Sequence, residues 1–166
     1  MRKEQKANYP ESARGAATLL VRMVLEDGAY TNIALNQYLR GSRLSDLDRR
    51  LATELVYGTV KASGTLDWYL AQCVSRPLDK VAGDILAILR ISTYQLLYMT
   101  RIPASAAVNE AVKLARSVSH EAAPSSSTAF CAVCCVSRKQ EHSSCLIPKS
   151  RMPIICRCSI TIRAGW

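Results

Sequence analysis

The cysteines near the C-terminus are the residues whose types and spacing most directly suggest chemistry. Six of the seven cysteines, and one of the two histidines, follow residue 130. They are Cys131, Cys134, Cys135, His142, Cys145, Cys156 and Cys158. Thiolate and imidazole groups are the usual ligands of structural Zn²⁺, but such sites pair two closely spaced knuckles within strand or turn flanks. The second half of this pattern has no C-x-x-C knuckle and no such flanks, so we predict neither a metal site nor disulfides in a reducing compartment.

Basic residues offer a second kind of chemistry, the binding of an anionic partner. The formal net charge is +9, and 6 of the 22 Lys and Arg but only 1 of the 13 Asp and Glu follow residue 130. An excess of this size favours RNA, DNA or a lipid surface as partner. Within the first 130 residues, Arg50, Glu54, Tyr57 and Lys61 share the polar face of a predicted helix. Arg43 and Arg49 extend this candidate patch, but because Asp46, Asp48 and Glu54 lie among the four cations, we expect surface ion pairs rather than phosphate contact as their role.

The sequence contains no recognisable catalytic machinery. No glycine-rich loop follows a strand pattern, and no nucleophile stands beside a base. Cys73 lies in an amphipathic segment and is expected to be a buried apolar residue. The apolar stretch 81–99 contains Asp84 and Arg90 and is too short to span a membrane, and Arg22 interrupts any signal-peptide core. We expect a soluble, cytoplasmic protein without catalytic, cofactor-binding or metal-binding residues.

Six amphipathic segments predict an all-α bundle that positions these residues. The first covers residues 13–24 and ends at Gly28, and the second covers residues 31–39. Ser45 is predicted to cap the third, Thr65 the fourth after a stop at Gly64, and Pro77 to open a fifth reaching Met99. The fifth has almost no polar face and is predicted to be the central, buried helix. The sixth begins at Pro103 and Ser105. The expected inward residues include Ile33 and Leu39 in the second helix and a stripe in the third formed by Leu47, Leu51, Leu55 and Val56.

Four sequence segments resemble those of one known family, in the same order and with the same spacing. IPASAAVNEAVKLARS at residues 102–117 resembles the NusB signature of a proline before a helix bearing Asn-Glu-Ala-Val. ILAILRISTYQLLYM at residues 85–99 resembles the central helix of that family, and DRRLATELVYGTV and LDWYL match further upstream. The segment YQLLYMTRIPASAAVNEA at residues 94–111 is similar to the NusB-like domain at the N-terminus of bacterial 16S ribosomal RNA cytosine-5 methyltransferases. Residues 7–130 are therefore identified as resembling that domain.

The resemblance implies a NusB-like antiparallel bundle of about six helices that binds RNA, with 16S ribosomal RNA as the expected partner. Arg14 is expected on the outer side of the first helix and corresponds to an arginine in the RNA-contacting N-terminal segment of the family. The candidate RNA-binding residues are Arg14, Arg22, Arg43, Arg49, Arg50 and Lys61. S-adenosylmethionine is expected only for a catalytic domain, whose Pro-Cys loop this sequence lacks. The alternatives are a free-standing antitermination factor of the NusB type and a helical module that binds only proteins.

The resemblance ends abruptly after Phe130, where the family continues with a Val-Leu-Arg helix. Restoring one lost nucleotide after the Phe130 codon converts CAVCCVSR into VRGVLRK and, further on, yields His-Pro-Arg-Trp-Leu, which resembles the segment leading into the catalytic region. We therefore predict that residues 131–166 are an out-of-frame, poorly ordered tail and that the chain is a truncated methyltransferase. Loss of the last family helix would expose apolar surface and favour self-association. Sequencing the DNA around the Phe130 codon tests the frameshift.

Overall fold

The computed structural model describes residues 9–74 and 77–118. This part of the chain forms six α-helices and one short 3₁₀ helix and contains no strand, which confirms the predicted all-α class. The α-helices are α1 (Ala13–Leu25), α2 (Thr31–Gly41), α3 (Asp46–Lys61), α4 (Ser63–Cys73), α5 (Gly83–Tyr98) and α6 (Ala104–Val118). The predicted out-of-frame tail and the cysteine pattern within it lie outside the described residues.

Serine side chains cap the two helices that carry most of the candidate residues. The Ser12 hydroxyl accepts a hydrogen bond from the Gly15 amide at 3.1 Å, and the Ser45 hydroxyl accepts one from Asp48 at 3.2 Å. Each bond satisfies an amide that has no partner within its helix. After α1, Gly28 adopts a φ of 71°, a left-handed conformation that glycine reaches without strain. The predicted cap at Ser45 and the stop at Gly28 are confirmed.

Three predicted helix boundaries are wrong. α3 ends at Lys61 rather than Gly64, and α4 begins at Ser63 without a side-chain cap. Only Ala62 separates the two helices, so Gly64 and Thr65 belong to the first turn of α4. Pro77 does not open α5, because a 3₁₀ helix (Leu78–Lys80) intervenes. Its tighter turn brings residues three apart into line, and Leu78 and Val81 both pack against the core.

The centre of the bundle is α5, as its nearly continuous apolar sequence predicted. It packs against α1, α3, α4 and α6. One apolar cluster joins Leu70 of α4 to Ile88 of α5 and Leu114 of α6. A second joins Leu20 of α1 to Leu55 of α3 and Ile91 of α5. Because α5 is buried on both sides, it holds the outer helices, and the polar faces they carry, in fixed positions.

Two residues predicted to face inward are exposed instead. Ile33 points away from the bundle because α2 packs through Ala34 and Leu35. Leu47 is 77% exposed although it continues the stripe of Leu55 along α3. Leu44, in the preceding loop, fills the core at that end of the helix, so the first turn of α3 extends beyond it.

A bidentate ion pair joins α4 to α5. Arg90 Nε lies 2.7 Å from Asp67 Oδ1, and Arg90 Nη2 lies 2.8 Å from Asp67 Oδ2. This parallel geometry satisfies two guanidinium donors at once. Arg90 thus has a structural role, which is to hold α4 against α5.

Among the helices of residues 9–74 and 77–118, none combines the length and hydropathy that crossing a membrane would require.

Candidate nucleic-acid interface

The six candidate RNA-binding residues fall into two groups according to their surroundings. Arg14, Arg22 and Arg49 are partly buried, and each donates hydrogen bonds within the molecule. Arg43, Arg50 and Lys61 are exposed. The structure thus separates cations already used to hold the helices together from cations available to a partner.

Arg14 lies between α1 and α5 rather than on the outer side of α1. Its Nε donates to Gln95 Oε1 at 2.8 Å, and buried Gln95 donates in turn to the Ile91 carbonyl at 3.3 Å. The two terminal nitrogens of Arg14 make no hydrogen bond to any residue that the structure describes. One edge of the guanidinium is therefore held by the fold, and the other edge has no described partner.

Arg22 belongs to a polar cluster that ties the start of the described chain to α1 and α5. Its Nη1 lies 2.9 Å from Asp84 Oδ1 and its Nε lies 3.5 Å from Glu26 Oε2, while the Tyr9 hydroxyl donates to Asp84. The hydrogen bond with Tyr9 raises the pKa of Arg22 above its ordinary value, and the Asp84 carboxylate adds to the rise. Two carboxylates thus offset the positive charge of Arg22 locally, which weakens its attraction for phosphate.

Arg49 closes the loop between α2 and α3. Its Nε donates to the Leu44 carbonyl at 3.1 Å, and its Nη2 donates to the Ser42 carbonyl at 3.1 Å. Both acceptors are neutral, so the charge of Arg49 is not compensated. The side chain is nevertheless occupied in fixing the loop.

Arg43, Arg50 and Lys61 lie on α3 and in the loop that precedes it. The ion pairs predicted for them with Asp46, Asp48 and Glu54 are absent among the described residues. Asp48 instead accepts a hydrogen bond from the Ser45 hydroxyl at 2.7 Å. At about 1.5 Å of rise per residue, Arg50 and Lys61 stand roughly 16 Å apart along one side of α3. We call these three cations the basic strip; they form no ion pair among the described residues, although Glu54 lies between Arg50 and Lys61 on the same face of α3.

Aromatic rings stand beside this strip. Tyr57 of α3 is 46% exposed and Tyr98 of α5 is 52% exposed. Tyr94 lies against the backbone of α3 at Gly58 and stacks on Tyr98, with ring centroids 5.2 Å apart and planes tilted by 32°. Burial raises the pKa of the Tyr94 hydroxyl, and the charges of Glu54 and Tyr98 add to the rise. The sequence placed Tyr57 on the polar face of α3, but only the packing of α5 on α3 brings Tyr94 and Tyr98 to it.

Gly58 makes this close packing possible. We therefore predict that alanine destabilises the protein at Gly58 and stabilises it at Gly64. A Cβ at Gly58 would overlap the ring of Tyr94, whereas a Cβ at Gly64 in α4 would meet nothing within 4 Å. We expect Gly58→Ala to lower the free energy of unfolding by about 1–2 kcal/mol through overpacking. Gly64→Ala should raise it by up to about 1 kcal/mol through helix propensity. Urea denaturation measures both.

The combination Gly58→Ala/Tyr94→Leu provides a check on the cause. Removing the ring should recover part of the loss, since the new methyl group then has space. If Gly58→Ala and Gly64→Ala stabilise the protein equally, the contact between Tyr94 and α3 is not as close as the structure shows.

The residues that the structure describes contain no group of three or more His, Cys, Asp or Glu side chains able to hold a metal ion. The candidate zinc pattern of the sequence, which runs from Cys131 to Cys158, lies outside them.

Comparisons with known proteins agree with this architecture. The NusB family model matches residues 11–126. A probable ribosomal RNA small subunit methyltransferase B from Synechocystis is 43% identical over 105 residues, which are 63% of this chain and 24% of that protein. Its counterpart from Bacillus subtilis is 36% identical over 110 residues, 66% of this chain and 24% of that protein. The chain thus spans about a quarter of the length of these relatives.

Smaller proteins also match. A transcription antitermination protein NusB from Shewanella loihica is 33% identical over 86 residues, which are 52% of this chain and 64% of that protein. The solved structure of T. maritima NusB superposes with a TM-score of 0.69 at 15% identity, covering 82% of this chain and 98% of that one. At this identity the structural match establishes the fold alone. Because the family model covers more than half of its residues, the chain belongs to the NusB family.

Proposed function

We propose that this NusB-family domain binds ribosomal RNA and serves as the RNA-recognition part of a small-subunit ribosomal RNA methyltransferase. The observation that carries the proposal is the basic strip on α3 and its preceding loop, where Arg43, Arg50 and Lys61 are exposed without an ion pair among the described residues. The names of the relatives from Synechocystis and Bacillus subtilis supply the class of RNA.

Cations without an ion pair favour RNA because each phosphate they contact releases condensed counterions. Arg14 adds a further contact through the guanidinium edge that has no described partner. Arg22 and Arg49 contribute less, because the first is offset by two carboxylates and the second is held by two backbone carbonyls. In this proposal the contacts position the RNA, and sequence recognition comes from elsewhere on the surface.

Methyl transfer is not part of the role proposed for this chain. S-adenosylmethionine, the methyl donor implied by the resemblance, would be used by a catalytic domain and not by the helical one. The proposal places the protein in the cytoplasm, where ribosomal RNA is available. We expect the purified chain to bind RNA without transferring a methyl group from S-adenosylmethionine.

The proposal predicts salt-dependent binding that weakens when a cation of the strip is removed. Filter binding of 16S ribosomal RNA fragments between 50 and 200 mM salt measures the slope of log affinity against log salt. We expect Arg50→Gln and Lys61→Gln each to reduce that slope by about 0.7–0.9, which corresponds to one phosphate contact.

Arg116→Gln is the matched control, since Arg116 is an exposed arginine on α6. It removes the same charge away from the strip and should leave the slope nearly unchanged. Equal effects at positions 50 and 116 would show that only net charge matters. No binding of any ribosomal RNA fragment at 50 mM salt would refute the proposed function.

A second candidate is transcription antitermination, favoured by the 33% identity to the transcription antitermination protein NusB from Shewanella loihica, of which 64% is covered. Read-through of a terminator in a transcription assay, with and without the purified chain, distinguishes the two functions. The DNA after the Phe130 codon supplies an independent test, because a downstream frame encoding a methyltransferase domain would support the first proposal.

A further inference from the structure

Two exposed tyrosine rings, Tyr57 and Tyr98, lie on α3 and α5. Single exposed hydrophobic residues are common on protein surfaces, so exposure of Tyr57 and Tyr98 is not itself evidence of a site. Their surroundings distinguish them from the other exposed aromatic residues. We call Tyr57, Tyr94, Tyr98 and Lys61 together the tyrosine surface.

The tyrosine surface is held in place by its packing on α3. Because Gly58 lacks a side chain, the Tyr94 ring lies directly against the helix backbone. Tyr98, one turn further along α5, stacks on Tyr94 and remains half exposed. Tyr57 adjoins Gly58 in sequence and pairs with no other ring among the described residues. The half-exposed rings of Tyr57 and Tyr98 can therefore stack on another flat group, and Tyr94 holds the Tyr98 ring in place.

Charged residues of both signs flank Tyr57 along α3. Lys61 follows Tyr57 by one turn and Arg50 precedes it by two turns, so both share its side of α3. Glu54, one turn before Tyr57, is close enough to raise the pKa of Tyr94. A phosphate is therefore attracted at Lys61 and at Arg50 and repelled at Glu54 between them. Rings beside a cation are the arrangement that binds single-stranded nucleic acid, in which bases stack and phosphates pair with Lys or Arg.

We propose that the tyrosine surface binds an unpaired segment of RNA, with bases stacked on Tyr57 and Tyr98 and a backbone phosphate at Lys61. This inference rests on the proposed RNA-binding function and specifies the RNA as single-stranded at this contact. In a duplex the bases are already stacked on one another, so the rings would have no free base face to receive.

The test compares single-stranded and duplex RNA of the same sequence, using the complete chain. We expect Tyr57→Leu and Tyr98→Leu each to weaken single-stranded binding about tenfold, within the range measured for loss of one stacked base. Duplex binding and the salt slope should change little, because no phosphate contact is removed. Tyr57→Phe keeps the ring and should bind single-stranded RNA like the unmodified protein.

Tyr30→Leu is the matched control, since Tyr30 is more exposed than either ring, precedes α2 and is not one of the residues of the tyrosine surface. Circular dichroism verifies that each variant folds. If Tyr98→Leu is unstable, Tyr57→Leu decides the question, because Tyr57 has no ring contact to lose.

The outcomes separate this inference from the proposed function. If the unmodified chain binds RNA and both leucine variants bind single strands equally well, stacking is refuted and the proposed function stands. Equal losses for single strands and duplex would also refute stacking. If the unmodified chain binds no RNA, the proposed function fails and this inference with it.

Discussion

Replacing Leu55 by alanine is expected to lower the free energy of unfolding by about 3 kcal/mol, within the range for fully buried leucines. The Leu55 side chain is completely buried in α3, where it packs in one cluster with Leu20 of α1, Leu35 of α2 and Ile91 of α5. Alanine would remove apolar contacts on several sides at once and leave a cavity that the surrounding helices close only in part. Equilibrium denaturation in urea measures the loss.

Leu47→Ala provides the control on the same helix. Leu47 lies on the same helical stripe, but its side chain is 77% exposed, so we expect a change within about 0.5 kcal/mol. The two variants lose the same atoms and differ only in burial. Equal losses would mean that Leu47 packs against something that residues 9–74 and 77–118 do not include.

Replacing Asp67 by alanine is expected to cost about 2–3 kcal/mol, because it leaves the Arg90 charge without a partner. The Arg90 side chain is only 13% exposed, so water compensates the guanidinium poorly. Asp67 itself is 33% exposed, which places the expected loss below the range for fully buried ion pairs. Thermal and urea denaturation both measure this effect.

Two further variants identify the cause of that loss. Asp67→Leu/Arg90→Met removes both charges and should recover most of the stability, since an apolar pair of similar volume has no unpaired charge. Glu110→Ala breaks the exposed pair with Lys113, whose atoms lie 2.8 Å apart, and should cost less than about 0.5 kcal/mol. A double variant as unstable as Asp67→Ala would attribute the effect to lost side-chain packing.

Much of the helical architecture follows from local patterns. Ser45 caps α3 as predicted because its hydroxyl acts on an amide three residues away, an interaction that needs no tertiary structure. The apolar stretch around Ile88 identified α5 as central because a helix without a polar face must be buried. Pro77 misled the prediction, since proline suits the first turn of a 3₁₀ helix as well as that of an α-helix.

The candidate interface was less predictable, because a sequence does not show which charges already have partners. Arg22 and Arg50 are both arginines on amphipathic helices. Asp84, which pairs with Arg22, lies 62 residues away in sequence. Arg50 has three acidic residues within four positions and pairs with none of them. Proximity in sequence thus gave the wrong partners for Arg50 and missed the real partners of Arg22.

By itself, the sequence determined the helical class, the family, the central place of α5 and the net basic charge. These depend on residue type and on spacing within a few helical turns, and both can be read directly from the sequence. Only the tertiary structure decided that Arg14 reaches Gln95, that Leu47 faces outward and that Tyr94 rests on Gly58. Each depends on where two helices meet, which side-chain volumes throughout the bundle determine together.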